Sequence, residues 1–276
     1  MEWDKHLSNK QEMTITVCIN ADTRVGYLNP QSTVGDYGEG SLQGVRSVDL
    51  LTEGVKNKMN YFRGYDCQCI LCIDQHEELS AELYKEIQSI VEAYGNNSKL
   101  ICKPHNRTRH RWYDYITIEA LKLADGDYVV HWDQDTNGIR TDESDIIEKY
   151  FKWLDEGYKY ICQPSPMPSA EHGMFWASTR FFICKKETLD LPMVEQNLTT
   201  PFMGKHTPCV EHILGALAGD GKVLYPPRED DSYLIWSWAR YFQGTLKRIN
   251  ENNQAQELKR IVELGVHGAQ DILDKQ

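Results

Sequence analysis

Tyr128-Val129-Val130-His131-Trp132-Asp133-Gln134-Asp135 (YVVHWDQD) joins a short apolar run, without a break, to two acidic residues. Tyr128 to Trp132 is β-branched and aromatic, the composition of a buried strand. Gly126 stands two residues ahead of it and marks the turn into the strand. Side chains alternate along an extended chain, so Asp133 and Asp135 aim to one side and Gln134 to the other. Two carboxylates at a strand end, one residue apart, suit a hard divalent cation. Mg²⁺ and Mn²⁺ take oxygen ligands and usually bind one or two carboxylates together with substrate phosphates. The competing explanation is a helix-capping or turn pair ahead of Thr136-Asn137-Gly138.

Working back from this stretch, Tyr113 to Ala124 reads as a helix and Lys99 to Lys103 (KLICK) as a short strand. Leu79 to Tyr94 is a helix with Leu83, Ile87, Ile90 and Val91 inward, and Gly95 just past its end. Cys67 to Ile73 is a strand running into Asp74. Leu42, Val45, Val48, Leu51, Val55, Met59 and Phe62 form one helical stripe. Met13 to Ile19 (MTITVCI) is the first strand, leaving through Asn20-Ala21-Asp22-Thr23. The glycines between Gly26 and Gly44 lack dinucleotide-fingerprint spacing and read as a loop. Four strand–helix alternations predict an α/β fold with a mostly parallel sheet flanked by helices. Ligands of such sheets sit beyond the carboxyl ends of the strands. Asn20, Asp22, Asp74, the run His105 to Arg111, and Asp133 to Asp135 all fall there.

Beyond Asp135 the pattern is less regular. Ile146 to Leu154 reads as a helix, Tyr158 to Gln163 as a strand, and the proline-containing Gln163 to Gly173 as a loop. Phe175 to Cys184 reads as a strand and Leu189 to Thr207, with Pro192 and Pro201, as a loop. Val210 to Leu217 is a short helix and Lys222 to Leu224 a short strand. Ile235, Trp238, Phe242, Thr245 and Ile249 trace a late helix, and Leu258 to Leu273 a terminal one. The pattern divides the chain into a regular half of one domain, 1–136, a less regular half, 137–245, and a helical extension, 246–276.

Composition narrows the function. The chain has 276 residues, of which 41% are hydrophobic and 26% charged, enough for one large α/β domain. With 30 Lys plus Arg against 41 Asp plus Glu, its formal charge of −11 argues against broad nucleic-acid binding. The local cluster Arg107, Arg109, His110 and Arg111 is either a solvated loop or a seat for a small anion such as a diphosphate. Met1 to Gln11 carries no apolar secretory core, and no window approaches the ~18 apolar residues of a membrane span. A cytoplasmic location follows as the expectation. The eight cysteines fall mostly in apolar runs and read as buried thiols. Strand alternation turns Cys72 away from Cys67 and Cys69, which opposes a metal cluster there.

The stretch Ile118 to Thr136 (IEALKLADGDYVVHWDQDT) resembles the GT-A glycosyltransferases, in particular the family-2-like branch. There a helix ending in Ala-x-Gly-Asp-Tyr leads to a strand and then Asp-x-Asp. The resemblance covers about residues 13 to 136 and implies a GT-A, Rossmann-like nucleotide-sugar fold. It implies that Asp133 and Asp135 hold Mn²⁺ or Mg²⁺, that Asp74 contacts the base, and that His105-Asn106-Arg107 is the polar segment after the third strand. A carboxylate at Asp74 accepts a uracil N–H, favouring a UDP-sugar. Pro208-Cys209-Val210-Glu211-His212 resembles the family's late acidic site, with His212 where the family has Asp. Glu211 is thereby the candidate base. His212, with His172 and His206, is a candidate for the family's further metal ligand.

The implied reaction transfers a sugar from a nucleoside diphosphate to a hydroxyl of a glycan, lipid-linked or other acceptor. Charge builds on the departing diphosphate, where a cation acts as a Lewis acid and Arg107 or Arg111 adds charge-assisted hydrogen bonds. Asn20 and Asp22 line the same donor site. Inversion would give Glu211 the acceptor's proton, and retention would give it another task. For Glu211 the other explanation is support of a helix N-terminus. Trp236, off the late apolar stripe, is the aromatic candidate for the acceptor side, and Trp238 belongs to packing. Two other functions compete: a nucleotidyltransferase, which would carry a basic glycine-rich loop after the first strand, and a non-catalytic binding module.

Overall fold

A computed structural model describes residues 13–23, 51–95, 97–108, 112–134, 136–140, 144–162, 177–178, 180–198, 209–226 and 232–236. Asp135, Arg111, His172, His206, Trp238, the glycine-rich 26–44 and the terminal 258–273 lie outside them.

Among the described residues the strands are β1 (Thr14–Asp22), β2 (Asp66–Gln75), β3 (Lys99–Pro104), β4 (Tyr128–Asp133), β5 (Thr136–Arg140), β6 (Tyr160–Cys162), β7 (Phe181–Lys185), β8 (Val223–Leu224) and β9 (Ser232–Trp236). The helices are α1 (Leu51–Tyr61), α2 (Ala81–Glu92), α3 (Trp112–Lys122), α4 (Ile146–Asp155), α5 (Leu191–Leu198) and α6 (Val210–Ala218). Seven strands form one sheet in the order β3-β2-β1-β4-β7-β6-β8, and β5 pairs with β9 in a separate ribbon. All neighbours in the large sheet run parallel except β7, which is antiparallel to both β4 and β6. This is the mostly parallel α/β sheet that the alternating pattern predicts.

Alternation along the central strands divides two cores. Ile15, Val17, Ile19 and Ala21 of β1 face α1, α2 and α4, together with Val130 and Trp132 of β4. Cys18 of β1, Ile70 and Cys72 of β2, and Val129 of β4 face α3, α5 and α6. Cys69 lies in the first core with Cys67 packed against it, so Cys72 does point the other way. Trp132 anchors the first core, with Tyr61, Phe62 and Phe181 meeting it edge-on at ring-centroid distances of 5.2, 6.2 and 4.9 Å. Such edge-to-face pairs add about 0.5–1.5 kcal/mol each beyond burial.

The Ala124-Asp125-Gly126-Asp127 turn before β4 has a structural purpose. Backbone N–H groups of Asp125 and Gly126 donate to Thr16 Oγ1 at 3.2 and 2.8 Å. Asp127 Oδ2 accepts from Thr14 N and Oγ1 at 3.1 and 3.0 Å. The turn docks on β1 and sets the register in which Asn20 stands beside Asp133.

Several local expectations are corrected. β1 continues through Asn20 and Asp22, because its pairing with β2 runs on to Asp22 beside Asp74. Thr136-Asn137-Gly138 begins β5, so no helix starts there for the Asp133 and Asp135 pair to cap. Residues 191–198 are helical where a loop was expected, since Pro192 falls in the first turn, whose N–H groups need no helical partner. Ser232–Trp236 (SYLIW) is a strand, so the late helix does not begin at Ile235. Its aromatic and β-branched residues find a partner in β5. The strand expected from Phe175 starts at Phe181.

Candidate active site

The carboxyl ends of β1, β2 and β4 lie side by side at one end of the sheet. Asp22 pairs with Asp74 and Asn20 with Asp133. All four occupy the α3-facing positions of their strands, continuing the alternation of Cys18, Cys72 and Val129. Asn20, Asp22 and Asp74 are buried and Asp133 is half-buried. The convergence expected from their strand-end positions is therefore met by these four.

The first turn of α3 holds both outer carboxylates through consecutive residues. Trp112 Nε1 donates to Asp74 Oδ1 at 3.0 Å, and Tyr113 Oη donates to Asp133 Oδ1 at 3.1 Å. One turn on, Thr117 Oγ1 accepts from Asn20 Nδ2. The helix thus sets its N-terminus, the positive end of its dipole, beside the acids at the strand ends. An N-terminus so placed is also a ready seat for phosphate.

Asn20 Oδ1 is buried and has no hydrogen-bond partner among the described residues. An orphaned amide oxygen beside a carboxylate is a set of hard oxygen donors, which fits Mg²⁺ or Mn²⁺. Asp135 lies outside the described residues, but its neighbours are held. Gln134 N donates to Asn20 O at 2.9 Å, and Gln134 Oε1 accepts from Asp22 N at 3.1 Å. On the opposite face, fully buried Lys58 of α1 donates from Nζ to Gln134 O at 3.1 Å and lies 5.5 Å from the centre of the Trp132 ring. Asn57 pairs with both the N–H and C=O of Gly138, at 2.8 and 3.0 Å. So α1 fixes the chain on both sides of position 135.

A second group gathers around Asp74. His105 Nδ1 lies 2.9 Å from Oδ2 and 3.1 Å from Oδ1, and His76 Nε2 lies 3.2 Å from Oδ2. The two imidazoles stack, with ring centroids 3.7 Å apart. Arg107 is exposed in the turn after β3, which Asn106 closes by accepting from Thr108 N and Oγ1.

Glu211 and His212 sit in the first turn of α6, half-buried. Glu211 O accepts from Ala177 N at 3.2 Å, and the Glu211 carboxylate helps raise the pKa values of Cys162 and Tyr225, after the larger effect of burial. Cys162 ends β6, so Glu211 lies near the end of the sheet where Asp133 stands, with β7 between β6 and β4. Those two strands are on the order of 10 Å apart at the usual strand spacing. His212 Nδ1 lies 2.8 Å from Cys209 Sγ. Neither residue reaches the Asp133 carboxylate through any described contact.

Trp112, Tyr113, Lys58 and His76 are the residues that sequence reasoning missed. An Asp-x-His at the end of one strand and a His at the end of the next were the available signals for His76 and His105. For Lys58 no signal existed, because an amphipathic helix gives no hint that one of its lysines is buried.

No known family profile matches the sequence, and no curated protein matches it. Solved structures do resemble the fold at low identity. A mannosyltransferase from Pyrobaculum calidifontis in complex with GDP-Man and Mn²⁺ is 14% identical over 90% of this chain and 64% of its own, with a TM-score of 0.44. S. aureus TarS 1–349 in complex with UDP-GlcNAc is 13% identical over 80% of this chain and 58% of its own, with a TM-score of 0.42. A Bacillus anthracis protein described as a putative glucose-1-phosphate thymidylyltransferase is 11% identical over 87% of this chain and 94% of its own, with a TM-score of 0.46. The structures this chain is similar to thus include sugar transferases and a described nucleotidyltransferase. At these scores the likeness says nothing of activity. Among the described residues no helix is long and apolar enough to cross a membrane.

Proposed function

We propose that the chain is a GT-A-type glycosyltransferase that binds a nucleoside-diphosphate sugar at the carboxyl ends of β1, β2 and β4. The observation that carries this reading is the gathering of Asn20, Asp22, Asp74 and Asp133 around the N-terminus of α3. Asp133 and Asp135, with Asn20 Oδ1 beside them, would hold Mn²⁺ or Mg²⁺. When bound, the cation supplies Lewis-acid stabilisation of phosphate oxygens. Tyr113 fixes the Asp133 carboxylate by donating to Oδ1. Gln134 and Lys58 fix the loop, which lowers the entropy lost when a donor binds. Arg107 supplies an exposed guanidinium to the diphosphate. Glu211, across β7, takes the acceptor's proton in an inverting reaction.

Turnover of a panel of nucleotide-sugars with Mn²⁺ tests the reading, together with calorimetry of UDP binding. Sugar release that needs the ion, and UDP affinity that falls in EDTA, are expected. Equal UDP affinity in EDTA removes the metal role. Pyrophosphate release from a nucleoside triphosphate and a sugar phosphate, with no turnover of nucleotide-sugars, assigns the chain to the nucleotidyltransferases instead.

A further inference from the structure

The Asp74 group has a chemistry different from the Asp133 motif. Two imidazole nitrogens and a carboxylate oxygen lie within 4.8 Å of one another at the ends of β2 and β3. Mixed nitrogen and oxygen donors suit a borderline transition-metal cation, not Mg²⁺. We propose that Asp74, His76 and His105 form a second metal site, which takes a divalent transition-metal cation of the Zn²⁺ class.

The spacing supports this. Ligands on a tetrahedral zinc at bond lengths near 2.0–2.1 Å are about 3.3 Å apart. His105 Nδ1 and His76 Nε2 lie 2.9 and 3.2 Å from Asp74 Oδ2, so a small outward movement opens the cage. The stacked rings already turn both nitrogens toward that oxygen. Trp112 Nε1 engages the other oxygen, Oδ1, and orients the carboxylate as outer-shell partners of metal ligands do. The two histidines are also held by their backbones: His76 N donates to Asp74 O at 3.2 Å and His105 N to Gln75 O at 2.8 Å. The carboxylate is almost wholly buried while both imidazoles are partly exposed, so an ion can enter from the histidine side.

The site is distinct from the Asp133 motif. β1 stands between β2 and β4, which places the two carboxylates on the order of 10 Å apart, too far for one ion. Three protein ligands leave a fourth position for water or for an atom of a bound ligand.

The test uses the full chain without nucleotide. Zn²⁺ is titrated against a chromophoric chelator, and Co²⁺ binding is followed by its visible absorption. One tightly held equivalent is expected, with Co²⁺ bands of a four-coordinate nitrogen–oxygen site. His105→Ala and His76→Ala should each weaken Zn²⁺ binding by ~10–100-fold or more, while Asp133→Asn leaves it unchanged. Unaltered circular dichroism of the variants excludes misfolding, and the wild-type Co²⁺ spectrum reports the donor set and coordination number without any variant. Absence of a bound equivalent, or binding that survives both histidine changes, overturns the proposal. Donor turnover is not measured here, so failure of the glycosyltransferase reading and failure of this site are separate results.

Discussion

At the scale of the residue, the site depends on side chains that orient others. Tyr113→Phe removes the hydroxyl that donates to Asp133 Oδ1 and little else. Loss of an outer-shell partner typically weakens metal affinity by ~10–100-fold. The expected outcome is that loss in Mn²⁺-dependent donor binding, seen by calorimetry, with the melting temperature nearly unchanged. Undiminished affinity would separate Tyr113 from the motif. Asp135→Asn is expected to abolish transfer and leave the fold intact, measured by turnover and circular dichroism. Glu211→Gln distinguishes the two roles open to that residue. As base, its loss lowers kcat by ~10²-fold or more with donor affinity unchanged. As a helix-terminus charge, it costs at most ~1 kcal/mol of stability and little activity.

At the scale of the element, the turn between α3 and β4 sets the register of the site. A side chain added at Gly126 would place its Cβ 2.7 Å from Thr16 N and 2.8 Å from Thr14 O. Both are backbone atoms of the central strand and cannot yield cheaply. Gly126→Ala is expected to cost ~1–3 kcal/mol, the usual range for overpacking, measured by denaturant unfolding. A neutral result would mean that the turn re-docks without loss. Of the acidic residues flanking this glycine, Asp127 engages Thr14 with its carboxylate. Part of the motif that suggests the family is therefore architecture, and Asp133 and Asp135 are left as its candidate chemistry.

At the scale of the whole molecule, the two cores enclose five fully buried thiols: Cys18, Cys69, Cys72, Cys162 and Cys184. Burial pushes Cys69 and Cys72 up to about 12 from 9.0, since the dry interior disfavours the thiolate. The unfolded chain loses these protons first, so it binds fewer of them above pH 9. The stability held by the neutral thiols is present in full below pH 9 and is lost as pH rises toward 12. Each such thiol contributes a slope of about 1.4 kcal/mol per pH unit in that window. Unfolding free energy measured from pH 8 to 11 should fall accordingly, and a flat profile would contradict the burial. In the native protein at pH 8 these five thiols should resist a disulfide reagent that titrates all eight in denaturant.

What local pattern carries is legible in the sequence alone. Apolar, β-branched runs in Met13 to Ile19 and Tyr128 to Trp132, and periodicity near four from Leu79 to Tyr94, arise from each residue's own preference for burial. They suffice for the parallel sheet and for placing Asn20, Asp22, Asp74 and Asp133 at its carboxyl end. Contacts between residues far apart in the chain leave no such trace. Ser232–Trp236 became a strand because β5 offered it a partner, and the Leu191–Leu198 segment became a helix that packs Val194 and Leu198 into the second core. Lys58 became the buried support of Gln134, and His76 and His105 met on one carboxylate, only because the ends of separate elements were brought within 3.2 Å of each other. Strand and helix preferences are short-ranged and written in neighbouring residues, whereas the assembly of a site is a matter of distances that folding alone sets.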